Sequence, residues 1–372
     1  MIERILQKVI SERLFKQKII VLYGARQVGK TTLLKKMMQD YDNVLWLNGD
    51  NLDVQEIFKN QTATHLKYFI GNPKIVVIDE AQKIENIGIG LKLIFDHYPE
   101  IQIIATGSSS FELKNSLNES LTGRKFELQL FPLSTQEMIN HNSRMVENRL
   151  LKHRLVYGFY PEIVNAEDFI LERLHTLIDS YLYKDLLMFN AIKKPDKLTK
   201  LLQALAFQVG SQVSYNEIGN LIGLDSKTVE TYIDLLEKVF VVFKLQSFSR
   251  NLRNELKSSR KIYFYDNGIR NSLINNFQIA DNRNDIGILW ENYLIAERKK
   301  RNNYQGVYAN TYFWRTTQQQ EIDYIEEIDG VIFAYEFKWN KSKSPKITST
   351  FANAYPNHVF KVINPSNYLE FV

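Results

Sequence analysis

Eight consecutive residues, Gly24-Ala25-Arg26-Gln27-Val28-Gly29-Lys30-Thr31, fit the pattern G-x-x-x-x-G-K-[ST]. In that pattern the glycines let the backbone curl so that successive N–H groups face phosphate oxygens. Lys30 would reach the β- and γ-phosphates of a nucleoside triphosphate such as ATP, and the Thr31 hydroxyl would ligate Mg²⁺. Thr32 follows in the first turn of a helix whose positive amino end faces the same phosphates. Downstream, Ile75-Val76-Val77-Ile78 runs into Asp79-Glu80. Such a strand buries its apolar residues and presents two carboxylates at its end. Asp79 would hold Mg²⁺, through water, and Glu80 would orient and polarise the attacking water. Gln82 either contacts this site or serves structure alone. Thr106-Gly107-Ser108-Ser109 ends a further apolar run. Ser108 there is either a hydroxyl sensing the terminal phosphate or part of a serine-rich turn; strand ends line the ligand crevice in open α/β sheets, which favours the sensor. Arg124 either touches the γ-phosphate, within its own chain or from a neighbouring subunit, or is a solvated surface arginine.

A second constellation lies near the carboxyl end. Glu321-Ile322-Asp323-Tyr324-Ile325 alternates like a strand, Asp329-Gly330 is a hairpin turn signal, and Val331 to Lys338 forms the return strand. Glu336 and Lys338 are two apart and share a strand face, where Asp323 of the neighbouring strand can meet them. Glu291, in the helical segment around Trp290, would complete a metal site. Carboxylates beside a lysine can hold Mg²⁺ and activate water for phosphodiester cleavage. The plainer alternative is a structural ion-pair cluster.

These residues need elements to position them. Strand signals at Lys18–Tyr23, Val44–Leu47, Lys74–Ile78 and Ile101–Thr106 alternate with helical segments. That alternation predicts an α/β fold with a parallel sheet covered by helices on both faces. From 166 to about 250, leucine-rich helical spacing dominates. Within it, residues 213–233 read as a helix-turn-helix, with Gly223 in the turn and Asp225 or Ser226 capping the second helix. Val239 to Leu245 would begin a wing. The second helix carries Lys227 and Lys238 against Glu230, Asp234 and Glu237, a poor surface for phosphates. Lys244, Arg250, Arg253, Lys257, Arg260 and Lys261 follow with only Glu255 among them. Two readings stand open: DNA contact through the wing, or a winged helix that packs as a lid or oligomer contact. The expected domains are 1–165, 166–255 and 256–372.

Composition restricts the classes. The 372 residues include no cysteine, which excludes a disulfide framework and any thiolate metal site. No apolar run approaches the roughly 18 residues of a membrane helix, and the charged start Met1-Ile2-Glu3-Arg4 is no secretory signal. The expectation is a cytoplasmic protein without a membrane partner. A net charge of +5 permits nucleic-acid contact without arguing for it.

The Glu291, Asp323, Glu336 and Lys338 pattern resembles the PD-(D/E)xK nuclease core, with Ile322 where the proline of the PD pair stands. Across nearly the whole chain, Gly24 to Leu33, Asp79-Glu80-Ala81-Gln82, Thr106 to Ser109, Leu121 to Arg124, Tyr157-Gly158-Phe159-Tyr160-Pro161-Glu162, Tyr263 to Gly268 and Asp323…Glu336-Phe337-Lys338 keep one order. In this the chain is similar to a widespread bacterial and archaeal family of AAA+-like ATPases with a C-terminal restriction-nuclease-like domain. The resemblance implies a P-loop ATPase domain, then a winged helix, then a nuclease-like α/β domain. It implies ATP and Mg²⁺ as cofactors and leaves DNA, another protein or an oligomeric neighbour as the partner. Whether the last domain cleaves DNA or is inert stays open at this level.

Overall fold

The computed structural model describes residues 2–59, 62–108, 121–179, 186, 192, 194–249, 259–342 and 345–372. These fall into two compact units.

The first unit comprises Met1–Leu133 with Lys238–Phe240. Its sheet contains β1 (Ile19–Tyr23), β2 (Val44–Asn48), β3 (Ile75–Asp79), β4 (Gln102–Gly107) and β5 (Lys125–Gln129). The spatial order is β2-β3-β4-β1-β5, and every pair is parallel. β1, β3 and β4 are buried along their whole length. That is why they read as unbroken apolar runs: helices flank the sheet, and neither face of a central parallel strand meets water. The chain leaves β1 for the far edge at β2, returns through β3 and β4, and then crosses to β5. Loops after β1, β3 and β4 therefore converge at one carboxyl edge, the usual ligand crevice of an open α/β sheet.

The second unit comprises Ser134–Glu237 and Val241–Val372. It holds a seven-stranded mixed sheet of β6 (Gln212–Val213), β7 (Val242–Ser247), β8 (Arg260–Phe264), β9 (Asn310–Arg315), β10 (Glu321–Ile328), β11 (Val331–Phe337) and β12 (His358–Ile363), ordered β12-β11-β10-β9-β7-β8-β6. Helices Tyr215–Ile222 and Ser226–Lys238 lie between β6 and β7. Gly223 ends the first in the left-handed region at φ 72°, and the Asp225 carboxylate accepts the Thr228 N–H at 2.9 Å, capping the second. The strands that follow these helices continue, through the parallel pairing of β7 with β9, into the sheet bearing the carboxyl-terminal hairpin.

One departure from simple alternation bears on function. The β9–β10 register shifts between Ile322 and Ile325, and both isoleucines enter the same apolar cluster with Phe248, Trp314, Ile332, Ala334 and Phe351. Asp323 therefore sits within a bulge, a device that re-aims a side chain. No helix among the described residues is long and apolar enough to cross a membrane.

Candidate functional site

The phosphate loop joins β1 to the helix Lys30–Met38. Gly24 is obligatory: at φ +158° a Cβ there would lie 2.2 Å from the Leu130 carbonyl oxygen. Gly29 stands in the left-handed region at φ 95°, starting the helix. The Lys30 ammonium is buried and donates to the carbonyls of Gly24 and Ala25, each at 2.9 Å. It thus lies folded across the loop that it would share with phosphate. Ala25 and Val28 are buried, Arg26 and Thr31 are half-buried, and Gln27 and Thr32 are exposed.

Two strand ends, those of β3 and β4, meet this loop. Thr31 donates its hydroxyl hydrogen to Asp79 Oδ2 at 2.7 Å, and Thr106 donates to Asp79 Oδ1 at 2.5 Å. The Thr106 oxygen in turn accepts the Glu80 N–H at 3.2 Å. Glu80 occupies the left-handed region at φ 50°, a strained conformation just past the end of the strand. Gln82 Nε2 donates to Glu80 Oε2 at 2.5 Å and to Ser108 Oγ at 3.1 Å. Lys30, Thr31, Asp79, Glu80 and Ser108 are thus brought to one carboxyl edge, joined by Thr106 and Gln82. The Thr31 hydroxyl and Asp79 carboxylate beside Lys30 form the hard oxygen set that suits Mg²⁺.

Arg124 is placed elsewhere. Its carbonyl accepts the Ile19 N–H at 2.8 Å, at the start of β1. Four residue steps at about 3.3 Å put it roughly 13 Å along the strand from the loop. Its guanidinium pairs with Asp96, Nε to Oδ1 at 2.8 Å. A γ-phosphate contact within the same chain is therefore corrected: Arg124 lies at the opposite edge of the sheet. Arg4, by contrast, was not singled out by sequence. It is buried and donates to the carbonyls of Val28 at 2.7 Å and Phe131 at 2.6 Å, clamping the phosphate loop. An isolated arginine in an amino-terminal helical segment carries no motif that would reveal this.

In the second unit, Asp323, Glu336 and Lys338 do converge. Lys338 Nζ lies 2.7 Å from Glu336 Oε2 and 3.8 Å from Asp323 Oδ2, and Asp323 accepts the Phe337 N–H at 2.7 Å. Burial and the charge of Asp323 push Glu336 up to about 7. Glu291 accepts from Tyr263 at 2.5 Å and Lys261 at 3.2 Å, and lies within electrostatic reach of Asp323 and Lys338. Burial pushes it, too, up to about 7, against the opposing charge of Lys261. Lys261 is itself buried and also pairs with Glu321. Among the described residues no three His, Asp or Glu side chains stand where they could hold one metal ion. Asp323 and Glu336 also interact directly with one another, with Lys338 beside both.

The expected basic wing is also altered. Lys244 pairs with Asp234 and Glu237, and Arg260 pairs with Glu230 at 3.6 Å and stacks over Tyr215. With Lys261 buried, these three cations are partnered inside the unit. Arg250, Arg253 and Lys257 lie outside the described residues.

Three segments match known domain families. Residues 16–139 match a family described as AAA domain. Residues 148–280 and 286–369 match two families each described as a domain of unknown function (DUF8612 and DUF4143). An uncharacterized protein of Haemophilus influenzae is 29% identical over 282 residues, covering 69% of each chain. One from Methanocaldococcus jannaschii is 24% identical, covering 87% of this chain and 75% of its own. The Walker-type ATPase of Pyrococcus abyssi has a similar fold, with TM-score 0.51 and 18% identity over 74% of this chain and 96% of its own. With the phosphate loop and the Asp79-Glu80 strand end in place, residues 16–139 have a P-loop fold and match the AAA domain family, and the two segments that follow match domains of unknown function.

Proposed function

We propose that this chain binds ATP with Mg²⁺, hydrolyses it, and uses nucleotide state to govern contact with DNA through its second unit. The observation that carries the first part is the convergence of Lys30, Thr31, Asp79, Glu80 and Thr106 at one sheet edge. On binding, Lys30 would exchange its two loop carbonyls for phosphate oxygens. Thr31 and Asp79 would hold Mg²⁺, which when bound offsets the charge of the phosphates. Glu80 would accept a hydrogen bond from the attacking water and orient its oxygen toward the γ-phosphorus. The new P–O bond forms as the bond to the β–γ bridging oxygen breaks, giving ADP and inorganic phosphate with the water proton passed to Glu80.

The helix pair 215–238, followed by antiparallel β7 and β8, supports a winged-helix reading and hence DNA as partner. A second reading has a specific observation in its favour. Lys261, buried between Glu291 and Glu321, offsets charge that a metal would need, which suits a domain that binds without cleaving.

The test is one experiment with two readouts. Anisotropy of labelled duplex DNA is followed with no nucleotide, ADP, or ATP on a Glu80→Gln background. Supercoiled DNA is incubated in parallel with Mg²⁺ or Mn²⁺. Nucleotide-dependent binding without nicking supports the switch. Nicking lost in Lys338→Ala would establish cleavage. ATP turnover without DNA binding in any state would sink DNA as partner.

A further inference from the structure

Resting on the ATPase reading, we infer that Gln82 is a positioning residue that links the terminal phosphate, through Ser108, to the carboxylate of Glu80. The hydrogen-bond chemistry fixes the direction of the link. A primary amide has two hydrogens on nitrogen and none on oxygen. Only Nε2 can face the Glu80 carboxylate, so one hydrogen goes to Glu80 Oε2 at 2.5 Å. The other goes to Ser108 Oγ at 3.1 Å. Both donors are then engaged. The Ser108 oxygen acts as acceptor, and its own hydrogen is left to point elsewhere.

Gln82 Oε1 is buried and has no hydrogen-bond partner among the described residues. Ser108 is buried at the carboxyl end of β4, beyond Thr106, whose hydroxyl bonds Asp79. A phosphate oxygen at this edge would accept the Ser108 hydroxyl hydrogen. Ser108 would then be fixed by phosphate, Gln82 by Ser108, and Glu80 by Gln82. The attacking water would then be met by a Glu80 carboxylate whose orientation the bound triphosphate reinforces. The same two bonds distinguish this role from packing: Gln82 is only partly buried, and its contacts are polar and directional.

The experiment measures ATP turnover of the full chain, with binding of a fluorescent ATP analogue and thermal unfolding run alongside. The variants are Gln82→Ala, Gln82→Glu, Ser108→Ala, Ser108→Thr and the double Gln82→Ala/Ser108→Ala. Orientation of a general base is worth up to about a hundredfold or more in rate. Gln82→Ala and Ser108→Ala should each lower kcat roughly 10- to 100-fold, with KM changed less than about threefold. The double variant should be no more than about threefold worse than either single, because members of one relay are not additive. Ser108→Thr keeps the hydroxyl and should retain turnover. Gln82→Glu sets one carboxylate against another and should lose turnover while still binding ATP. Gln82→Ala at wild-type kcat, or losses that multiply in the double variant, would overturn the relay while leaving the ATPase reading intact. An unmodified chain that binds but never hydrolyses ATP would overturn both.

Discussion

Replacing Arg4 by methionine should loosen the phosphate loop without touching any group that meets phosphate. The side chain is 7% exposed, and its guanidinium bridges the carbonyl of Val28, in the loop, to that of Phe131, just past β5. Leu130, next to Phe131, donates its N–H to Tyr23 at the end of β1 at 2.7 Å, so this bridge ties the loop to the strand pair that carries it. Methionine keeps most of the aliphatic bulk and removes both donors. Hydrogen bonds from a charged group are worth about 1.5–3 kcal/mol each, and two sharing one side chain are not additive, so about 2–4 kcal/mol is expected. At about 1.4 kcal/mol per factor of ten, that is roughly a 30- to 700-fold rise in loop opening. Hydrogen exchange followed by mass spectrometry reads this directly, on peptides spanning 24–32. The hairpin 321–337 of the other unit serves as an internal control and should keep its wild-type exchange. Saturating ATP should restore part of the lost protection. An Arg4→Met chain that is folded and exchanges its loop amides at the wild-type rate would refute the clamp.

Four shorter expectations follow from the same geometry. Lys30→Ala should abolish ATP binding, seen as loss of the analogue fluorescence change, because it removes the buried ammonium held against the loop. Glu80→Gln should bind ATP normally and lose at least about a hundredfold in turnover, a split that equilibrium binding and phosphate release resolve. Gly24→Ala should give little folded protein, since its Cβ would meet the Leu130 carbonyl oxygen at 2.2 Å and backbone cannot yield cheaply; circular dichroism and yield test it. Asp285, although partly buried, is held below its usual pKa of 3.8 by the guanidinium groups of Arg283 and Arg270. A lowered folded pKa means that this cluster stabilises above pH 3.8 and loses its contribution as pH falls through the folded value. Asp285→Asn should therefore lower the thermal midpoint at pH 7 and narrow its gap to wild type toward pH 3.

The gathering of Lys30, Thr31, Asp79 and Glu80 at one sheet edge was legible because its pattern is local. A loop that cradles phosphate needs glycine where a Cβ would strike Leu130, a lysine at the helix start and an apolar strand on either side, all within adjacent residues. The same holds for Asp79 and Glu80 at the end of β3, and for the apolar runs that parallel pairing buries on both faces. The carboxyl-terminal hairpin was legible in outline, since Asp329-Gly330 and the flanking alternation dictate two paired strands. The further side chains packed against it were not. Strict alternation would leave Asp323 in simple register, whereas a bulge re-aims it. Lys261, distant in sequence, occupies the space between Glu291 and Glu321.

Sequence by itself thus determined which residues could bind phosphate and which segments must be strand or helix, because those properties depend on near neighbours. Tertiary structure alone decided which charges meet. It sent Arg124 to the far edge of the sheet, tied Lys244 and Arg260 to the acids of the preceding helix, and set Arg4 against the phosphate loop. The reason is physical: a charged side chain has no preferred partner along the chain. Its role is fixed by whichever opposite charge or buried carbonyl the fold brings within about 3 Å.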